Sequence, residues 1–156
     1  MLFLPILPNG VFRARHSERG PWYRFLPLDE SAELVQIDRG ISVDGEFSVL
    51  SRLFAAGDPY VSLLYMPLSE QDDAHFDREF RDVFGISITS VFLDSSCTRF
   101  PDEISKALAL PRETDELVLH SVAKNDAAMP NYYEKIYIPP NGRRLHIADR
   151  KVAPTV

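Results

Sequence analysis

The chain has 156 residues and a formal net charge of −6, and 45% of its residues are hydrophobic while 26% are charged. This length and balance are typical of a single soluble globular domain and not of a disordered chain. The negative charge disfavours a protein that holds nucleic acid or an anionic membrane through a broadly cationic surface. No apolar run approaches the roughly 18 residues of a membrane-spanning helix, and the single cysteine, Cys97, excludes an internal disulfide. We therefore expect a cytoplasmic protein that contacts neither membrane nor nucleic acid directly.

Residues 1–46 predict an N-terminal arm, in which edge strands of a sheet are an option. The opening residues 1–8 are apolar, but two prolines interrupt them and the basic start of a signal peptide is missing, so we interpret them as mature chain. The stretch that follows is locally basic and carries four arginines: Arg13, Arg15, Arg19 and Arg24. Such a stretch is either a solvated arm or one that contacts an anion.

A first hairpin is predicted next, with strands at residues 47–54 and 60–66. The turn between them contains glycine and aspartate and ends in Pro59, and the second strand ends at Pro67. A helix is then predicted over residues 69–85, because its aromatic and aliphatic residues recur at helical spacing and Gly85 can end it.

The second half predicts a strand, a short helix and another hairpin. Residues 86–93 are strand-like, and a helix starts at Pro101 and cannot continue through Pro111. The hairpin pairs residues 116–123 with residues 132–138, and it repeats the design of the first one: an apolar strand, a polar turn ending in proline, an aromatic strand and a closing proline.

These elements predict an α+β fold with an antiparallel sheet of about six strands, helices on one face, and two repeated hairpin units. A further short strand is predicted over residues 143–147. We expect one domain over residues 1–156, with the repeat core at 47–148 and a loose tail at 149–156.

Parts of residues 49–138 resemble the chorismate lyase-like superfamily, which includes chorismate pyruvate-lyases and the UTRA effector domains of GntR-type regulators. The residues that carry the resemblance are Arg52-Leu-Phe-Ala-Ala-Gly-Asp-Pro-Tyr60, Tyr65-Met-Pro67, Phe80-Arg-Asp-Val-Phe-Gly-Ile86, Ile104-Ser-Lys-Ala-Leu-Ala-Leu-Pro111 and Met129-Pro-Asn-Tyr-Tyr-Glu-Lys-Ile-Tyr-Ile-Pro139. The resemblance implies a ligand pocket near the axis that relates the two repeats.

The resemblance also implies roles for particular residues. Arg52 matches an arginine with which the lyases hold a carboxylate, and Glu134 lies one position from their glutamate. His120 and Lys124 stand where the lyases carry arginines. If the chain is a lyase, Arg52 is the expected carboxylate anchor and Glu134 the general acid.

The residue types favour no metal or cofactor. The four histidines lack metal-ligand spacing, and the sequence contains neither a nucleophile elbow nor a phosphate-binding glycine loop. Cys97 precedes the second helix and is interpreted as a small buried side chain or as a thiol activated by the helix.

Three functions remain open. The first is a binding module for a small organic ligand, carboxylated or aromatic, with four candidate pocket residues: Arg52, His120, Tyr132 and Glu134. The second is a stand-alone enzyme that releases pyruvate from chorismate. The third is a protein-interaction module that uses the basic arm and an exposed strand edge to pair with a partner or, as a homodimer, with a second copy of itself.

Overall fold

The computed structural model describes residues 11–16, 25, 26, 28, 33–64 and 77–145. Six strands are present in these segments: β1 (Val11–His16), β2 (Leu34–Val43), β3 (Phe47–Ala56), β4 (Ile88–Arg99), β5 (Asp115–Asn125) and β6 (Pro130–Ile138). The helices are α1 (Gly57–Tyr60), α2 (Asp77–Phe84) and α3 (Asp102–Ala107), and a 3₁₀ turn over Val61–Leu64 follows α1. None of these helices is long and apolar enough to cross a membrane.

The strands form one antiparallel sheet in the order β1-β2-β3-β6-β5-β4. Two three-stranded units, β1–β3 and β4–β6, therefore lie side by side, and among the described strands they pair through β3 and β6. This arrangement confirms the predicted α+β fold with a six-stranded antiparallel sheet, and each unit contains one hairpin: β2–β3 in the first and β5–β6 in the second.

The first hairpin was assigned to the wrong pair of segments. β3 pairs with β2 from Phe47 opposite Val43 to Ala56 opposite Leu34, and not with residues 60–66. Its turn contains Asp44 and Gly45 with φ of 50° and 70°, and an Asp-Gly pair with positive φ is a strong hairpin signal. The predicted boundary between arm and core at residue 46 lies in this turn, and β2 is an interior strand.

The chain leaves the sheet after β3 because of Gly57. Its backbone N–H donates to the Glu33 carbonyl oxygen at 2.7 Å, and a Cβ at position 57 would lie 2.8 Å from that oxygen. Pro59 then lies in the first turn of α1, where a missing N–H costs no helical hydrogen bond. The predicted strand at 60–66 is therefore helical through Leu64, and residues 65 and 66 lie outside the described residues.

Other predicted elements need smaller corrections. β4 continues to Arg99, beyond the predicted end at residue 93, and Pro101 precedes α3 as its N-cap. Residues 143–145 are not a strand, and the rest of the predicted strand at 143–147 lies outside the described residues, as do the tail 149–156, residues 1–8 and the helix segment 69–76. Of the basic arm, Arg13 and Arg15 lie in β1, and Arg19 and Arg24 are outside the described segments.

The sheet has two differently covered faces. We call one the α3 face, because Ile104 of α3 packs there with Leu50 of β3. The other is the Tyr60 face, where Tyr60 of α1 packs with Leu53 and further buried residues of the sheet. Helices thus contact both faces, unlike the single covered face that we expected.

Candidate functional site

Five ionisable side chains form a line across the α3 face. The strand registers place Asp38 of β2 opposite Arg52 of β3, Arg52 opposite Lys135 of β6, Lys135 opposite His120 of β5, and His120 opposite Asp94 of β4. Directly opposed residues in antiparallel strands share one face of the sheet. We call these five residues the charged row.

The β2 end of the row is a buried ion pair. Arg52 donates from Nε to Asp38 Oδ1 and from Nη2 to Asp38 Oδ2, both at 2.8 Å, in the two-point geometry that suits guanidinium and carboxylate. Asp38 is fully buried and Arg52 is only 9% exposed. Gln36 also donates to both Asp38 oxygens at 3.1 Å, which fixes the carboxylate in place.

Arg52 has a third partner in α3. Its Nη1 donates to Glu103 Oε1 at 2.9 Å. Burial alone would lower the pKa of Arg52, but the hydrogen bonds and charges of Asp38 and Glu103 outweigh it, and the net shift is upward. Arg52 therefore remains a guanidinium cation and links β2, β3 and α3.

Lys135 occupies the middle of the row and was not predicted as a site residue. It is half-buried, and it makes no hydrogen bond or ion pair with any other residue of the described segments. Burial, followed by the charge of the neighbouring Arg52, lowers the pKa of Lys135. An ammonium group in this position has lost part of its hydration without gaining an anionic partner.

His120 continues the row toward β4 and is held from both sides. Its Nδ1 lies 2.8 Å from the Tyr133 hydroxyl and its Nε2 lies 3.0 Å from Ser96 Oγ. Burial and then the charge of Lys135 lower the pKa of His120, while Asp94 opposes them. Burial is also the main reason that the pKa of Tyr133 is raised to about 12. The imidazole is thus neutral near pH 7 and can gain a proton if an anion arrives.

Apolar clusters lie on both sides of the charged row. One contains Leu26, Leu34, Phe54, Val122 and Tyr133, and Phe25 stacks on Tyr133 with ring centroids 5.1 Å apart. The other contains Leu50, Phe100, Ile104, Val118 and Tyr137. The charged row therefore runs between two packed clusters of apolar and aromatic side chains, and the members of both clusters are buried.

The four residues predicted to bind a ligand do not lie together. Arg52 and His120 are on the α3 face, but the register pairs Glu134 with Leu53, and Ala55 with Tyr132, on the Tyr60 face. Glu134 accepts a hydrogen bond from Ser51 and is 7% exposed, while Tyr132 packs in the Tyr60 cluster. One substrate cannot touch both Arg52 and Glu134, so the lyase arrangement that paired them as anchor and acid is corrected.

A cavity of about 530 Å³ opens on the Tyr60 face. Apolar residues of four strands form much of its wall: Val43, Val49, Leu117, Leu119, Ile136 and Ile138. Arg143 at its edge is bound to Asp44 and Glu46. The cavity is a recess on the opposite side of the sheet from the charged row, and Glu116, Asn141 and Arg144 add polar groups to its wall.

Two further sequence predictions concern the single cysteine and metal binding. Cys97 is an exposed free thiol on the edge strand β4, so its interpretation as a buried side chain was wrong. Within the segments that the structure describes, no group of three or more His, Cys, Asp or Glu side chains is arranged to hold a metal ion.

No protein-family model and no curated protein sequence matches this chain. Solved structures with similar folds do exist. One is the ligand-binding domain of a Bordetella bronchiseptica protein that is assigned to the GntR family of transcriptional regulators. It matches with a TM-score of 0.68 and 18% sequence identity, and the match covers 92% of this chain and 99% of that one. A GntR-family transcriptional regulator from Enterococcus faecalis V583 has a TM-score of 0.68 and 15% identity, with 88% of this chain and 95% of that one covered.

The effector domain of PhnF from Mycobacterium smegmatis is also similar, with a TM-score of 0.69 and 16% identity over 82% of this chain and 76% of that one. The match to the PhnF structure that is not restricted to the effector domain covers 54% of its chain. At these identities the likeness concerns the fold, and it shows that this chain shares the fold of these ligand-binding and effector domains.

Proposed function

We propose that this domain binds a small organic anion on the α3 face of its sheet. The observation that carries the proposal is Lys135, a half-buried ammonium group without a partner among the described residues, next to Arg52 and His120. A carboxylate or phosphate placed there would restore the lost hydration energy of Lys135 and favour protonation of His120.

The walls of the site favour an organic ligand over a bare inorganic ion. Phe54 and Tyr133 on one side, and Tyr137 on the other, place aromatic rings next to the charges, and because these rings are buried a ligand would have to displace what covers them. A molecule with one anionic group and a ring or short carbon chain would use both features. Hydroxybenzoates and sugar phosphates meet this description, and chorismate meets it with a second carboxylate in addition.

The fold supports the same proposal. The similar structures include the ligand-binding domain of a protein assigned to the GntR family of transcriptional regulators and the effector domain of PhnF. We propose that this chain acts as an effector-binding domain of the UTRA type, in which ligand occupancy is the signal. Pyruvate release from chorismate is the less favoured function, because Glu134 is on the other face and both Asp38 and Glu103 are already bound to Arg52.

The test is a thermal-shift screen of the purified protein with the three ligand classes above, followed by pyruvate detection for chorismate. A ligand at 100 times its Kd stabilises by about 2.7 kcal/mol, which raises the Tm of a domain of this size by roughly 5–10 °C. Lys135→Met should remove most of the shift. Lys106→Met, which removes an exposed lysine of α3, is the matched control and should keep it.

Two outcomes would contradict the proposal. One is a panel in which no anion stabilises the protein. The other is a ligand whose stabilisation survives in Lys135→Met, because that ligand would bind elsewhere, for example in the cavity of the Tyr60 face. Pyruvate release would replace simple binding with lyase activity.

We also propose that β4 mediates self-association. This strand is 12 residues long and forms one edge of the sheet of described strands. Val91, Phe92 and Leu93 are exposed on it by 37%, 58% and 37%. An exposed apolar edge strand favours pairing with another strand. Light scattering should show a dimer that Phe92→Lys dissociates, and a wild-type monomer at high concentration would contradict this second proposal.

A further inference from the structure

The two carboxylates bound to Arg52 differ in how firmly they are held. Asp38 takes two N–H groups of the guanidinium, and its side chain is 1% exposed. Glu103 takes only Nη1, and its side chain is 32% exposed. An anion that enters the charged row can therefore compete with Glu103 much more easily than with Asp38.

Glu103 belongs to a short segment that is closed at its base. The Phe100 N–H donates to the Thr114 carbonyl oxygen at 2.9 Å, so residues 101–113 form a lobe between the end of β4 and the start of β5, and α3 within this lobe packs on the α3 face. Two non-glycine residues of this lobe, Ala109 and Glu113, have φ of 54° and 65°, which is an unfavourable conformation for both.

Apolar contacts hold the lobe against the α3 face, where Ala107, Leu108 and Leu110 of the lobe pack against the cluster that contains Leu50 and Tyr137. Phe100 at its base contacts Tyr137 edge-on with ring centroids 5.4 Å apart, and Ile104 packs in the same cluster. The Arg52–Glu103 ion pair links the lobe to the middle of the sheet, and a more exposed pair at 3.7 Å joins Glu113 of the lobe to Arg99 of β4. If the Arg52–Glu103 pair is lost, the lobe keeps its apolar contacts but loses the hydrogen bond that fixes α3 over the row.

We infer that Glu103 is an internal competitor for the ligand anion, and that binding of the anion at Lys135 and Arg52 releases the α3 lobe from Arg52. This inference rests on the proposed function. The opposed positions of Arg52 and Lys135 would bring an anion on Lys135 near Arg52 and therefore near Glu103. While Glu103 stays in place, repulsion between its carboxylate and the ligand anion opposes binding. This repulsion is relieved when Arg52 Nη1 donates its hydrogen bond to the ligand instead of to Glu103.

The coupling has to act in both directions. If the ligand weakens the Arg52–Glu103 pair, then loss of the Glu103 charge must strengthen ligand binding by the same free energy. Glu103 would also set specificity, because an anion with two negative charges competes for Arg52 better than an anion with one. Movement of the lobe would turn occupancy of the site into a change at the surface of the domain.

The experiment compares Glu103→Gln with Asp102→Asn. Both changes remove one negative charge from α3, but only Glu103 contacts Arg52, and Asp102 is exposed. The affinity for inorganic phosphate is measured by calorimetry at fixed ionic strength, with thermal unfolding as a check of folding. Because coupling between sites is typically 5-fold or more, we expect Glu103→Gln to bind phosphate at least about 5-fold more tightly than the wild type. Asp102→Asn should change the affinity by less than about 2-fold, as expected for a screened surface charge.

A second measurement follows the lobe directly. Hydrogen exchange of backbone amides in residues 101–113 should become faster when phosphate binds the wild type, and should be fast in Glu103→Gln without phosphate. Equal or weaker phosphate binding by Glu103→Gln, with the wild type still binding, would overturn the inference alone. Absence of phosphate binding in both proteins would contradict the anion site itself, and with it the proposed function.

Discussion

Replacement of Asp38 by asparagine tests whether the Arg52–Asp38 pair holds the centre of the sheet together. The change keeps the size of the side chain and removes only its charge. Arg52 would remain buried with Glu103 as its one carboxylate partner, and that partner is partly exposed. A buried cation that loses its main counter-charge costs about 3–5 kcal/mol. Because Glu103 remains, we expect the lower end of this range, about 3 kcal/mol.

For a domain of this length, each kcal/mol corresponds to a Tm change of about 2–4 °C, so Asp38→Asn should lower the Tm by roughly 6–12 °C. Thermal and urea unfolding of wild type and variant measure the difference. The double variant Asp38→Leu, Arg52→Met removes both charges and should recover most of the lost stability, because no unpaired charge is left.

The exposed cluster of Arg143 with Asp44 and Glu46 provides a control. Glu46→Gln there should leave the Tm nearly unchanged, since solvent screens an exposed pair. The reasoning is refuted if Asp38→Asn costs less than about 1 kcal/mol, or if the double variant is less stable than Asp38→Asn.

Three further predictions concern the site and its support. Anion affinity should rise as the pH falls from about 7, by up to about 10-fold per pH unit above the pKa of His120. The reason is that burial and then Lys135 lower the pKa of His120 in the free protein, whereas a bound anion opposes this shift. His120→Asn should make the affinity less dependent on pH, and calorimetry across this pH range would show no slope if His120 does not titrate. For the same reason the unliganded protein should lose stability as the pH drops through the folded pKa of His120, since the unfolded chain takes up the proton more readily. Tyr133→Phe should lower the free energy of unfolding, measured in urea, by about 1 kcal/mol, the usual net value of one hydrogen bond. The same change should weaken anion binding, because the Tyr133 hydroxyl no longer holds His120. Unchanged stability and affinity would count against the role of this contact. Gly57→Ala should destabilise by about 1–3 kcal/mol, because the new Cβ would lie 2.8 Å from the Glu33 carbonyl oxygen, and a neutral result would show that the chain leaves β3 with more freedom than this geometry allows.

Local signals predicted part of the fold correctly. The β5–β6 hairpin and α3 follow from features within short stretches: apolar and aromatic runs around a polar turn, and a helix that starts after Pro101 and stops before Pro111. The first hairpin was predicted wrongly because two turn signals follow each other. Asp44-Gly45 is the hairpin turn, but the Gly57-Asp-Pro59 stretch has the same composition and was given that role.

The site could be predicted only in part, because it depends on the strand register. Arg52 and His120 were both recognised, but the face of a strand residue is known only when its partners are known. The pairing of Leu53 with Glu134 puts Glu134 on one face and Lys135 on the other. Lys135 has no local motif, and its importance follows from four strand pairings between residues distant in sequence.

The charged row crosses the junction between the two halves of the sheet, where β3 pairs with β6. β3 and β6 share six residue pairs, against ten between β2 and β3, and the pairing of Arg52 with Lys135 lies within that junction. A ligand that binds both residues would connect the N-terminal unit, β1–β3, with the C-terminal unit, β4–β6. Because the ligand would contact both units, two separately produced fragments should reassemble more readily in its presence. Any rotation of one unit against the other would change the affinity for the ligand.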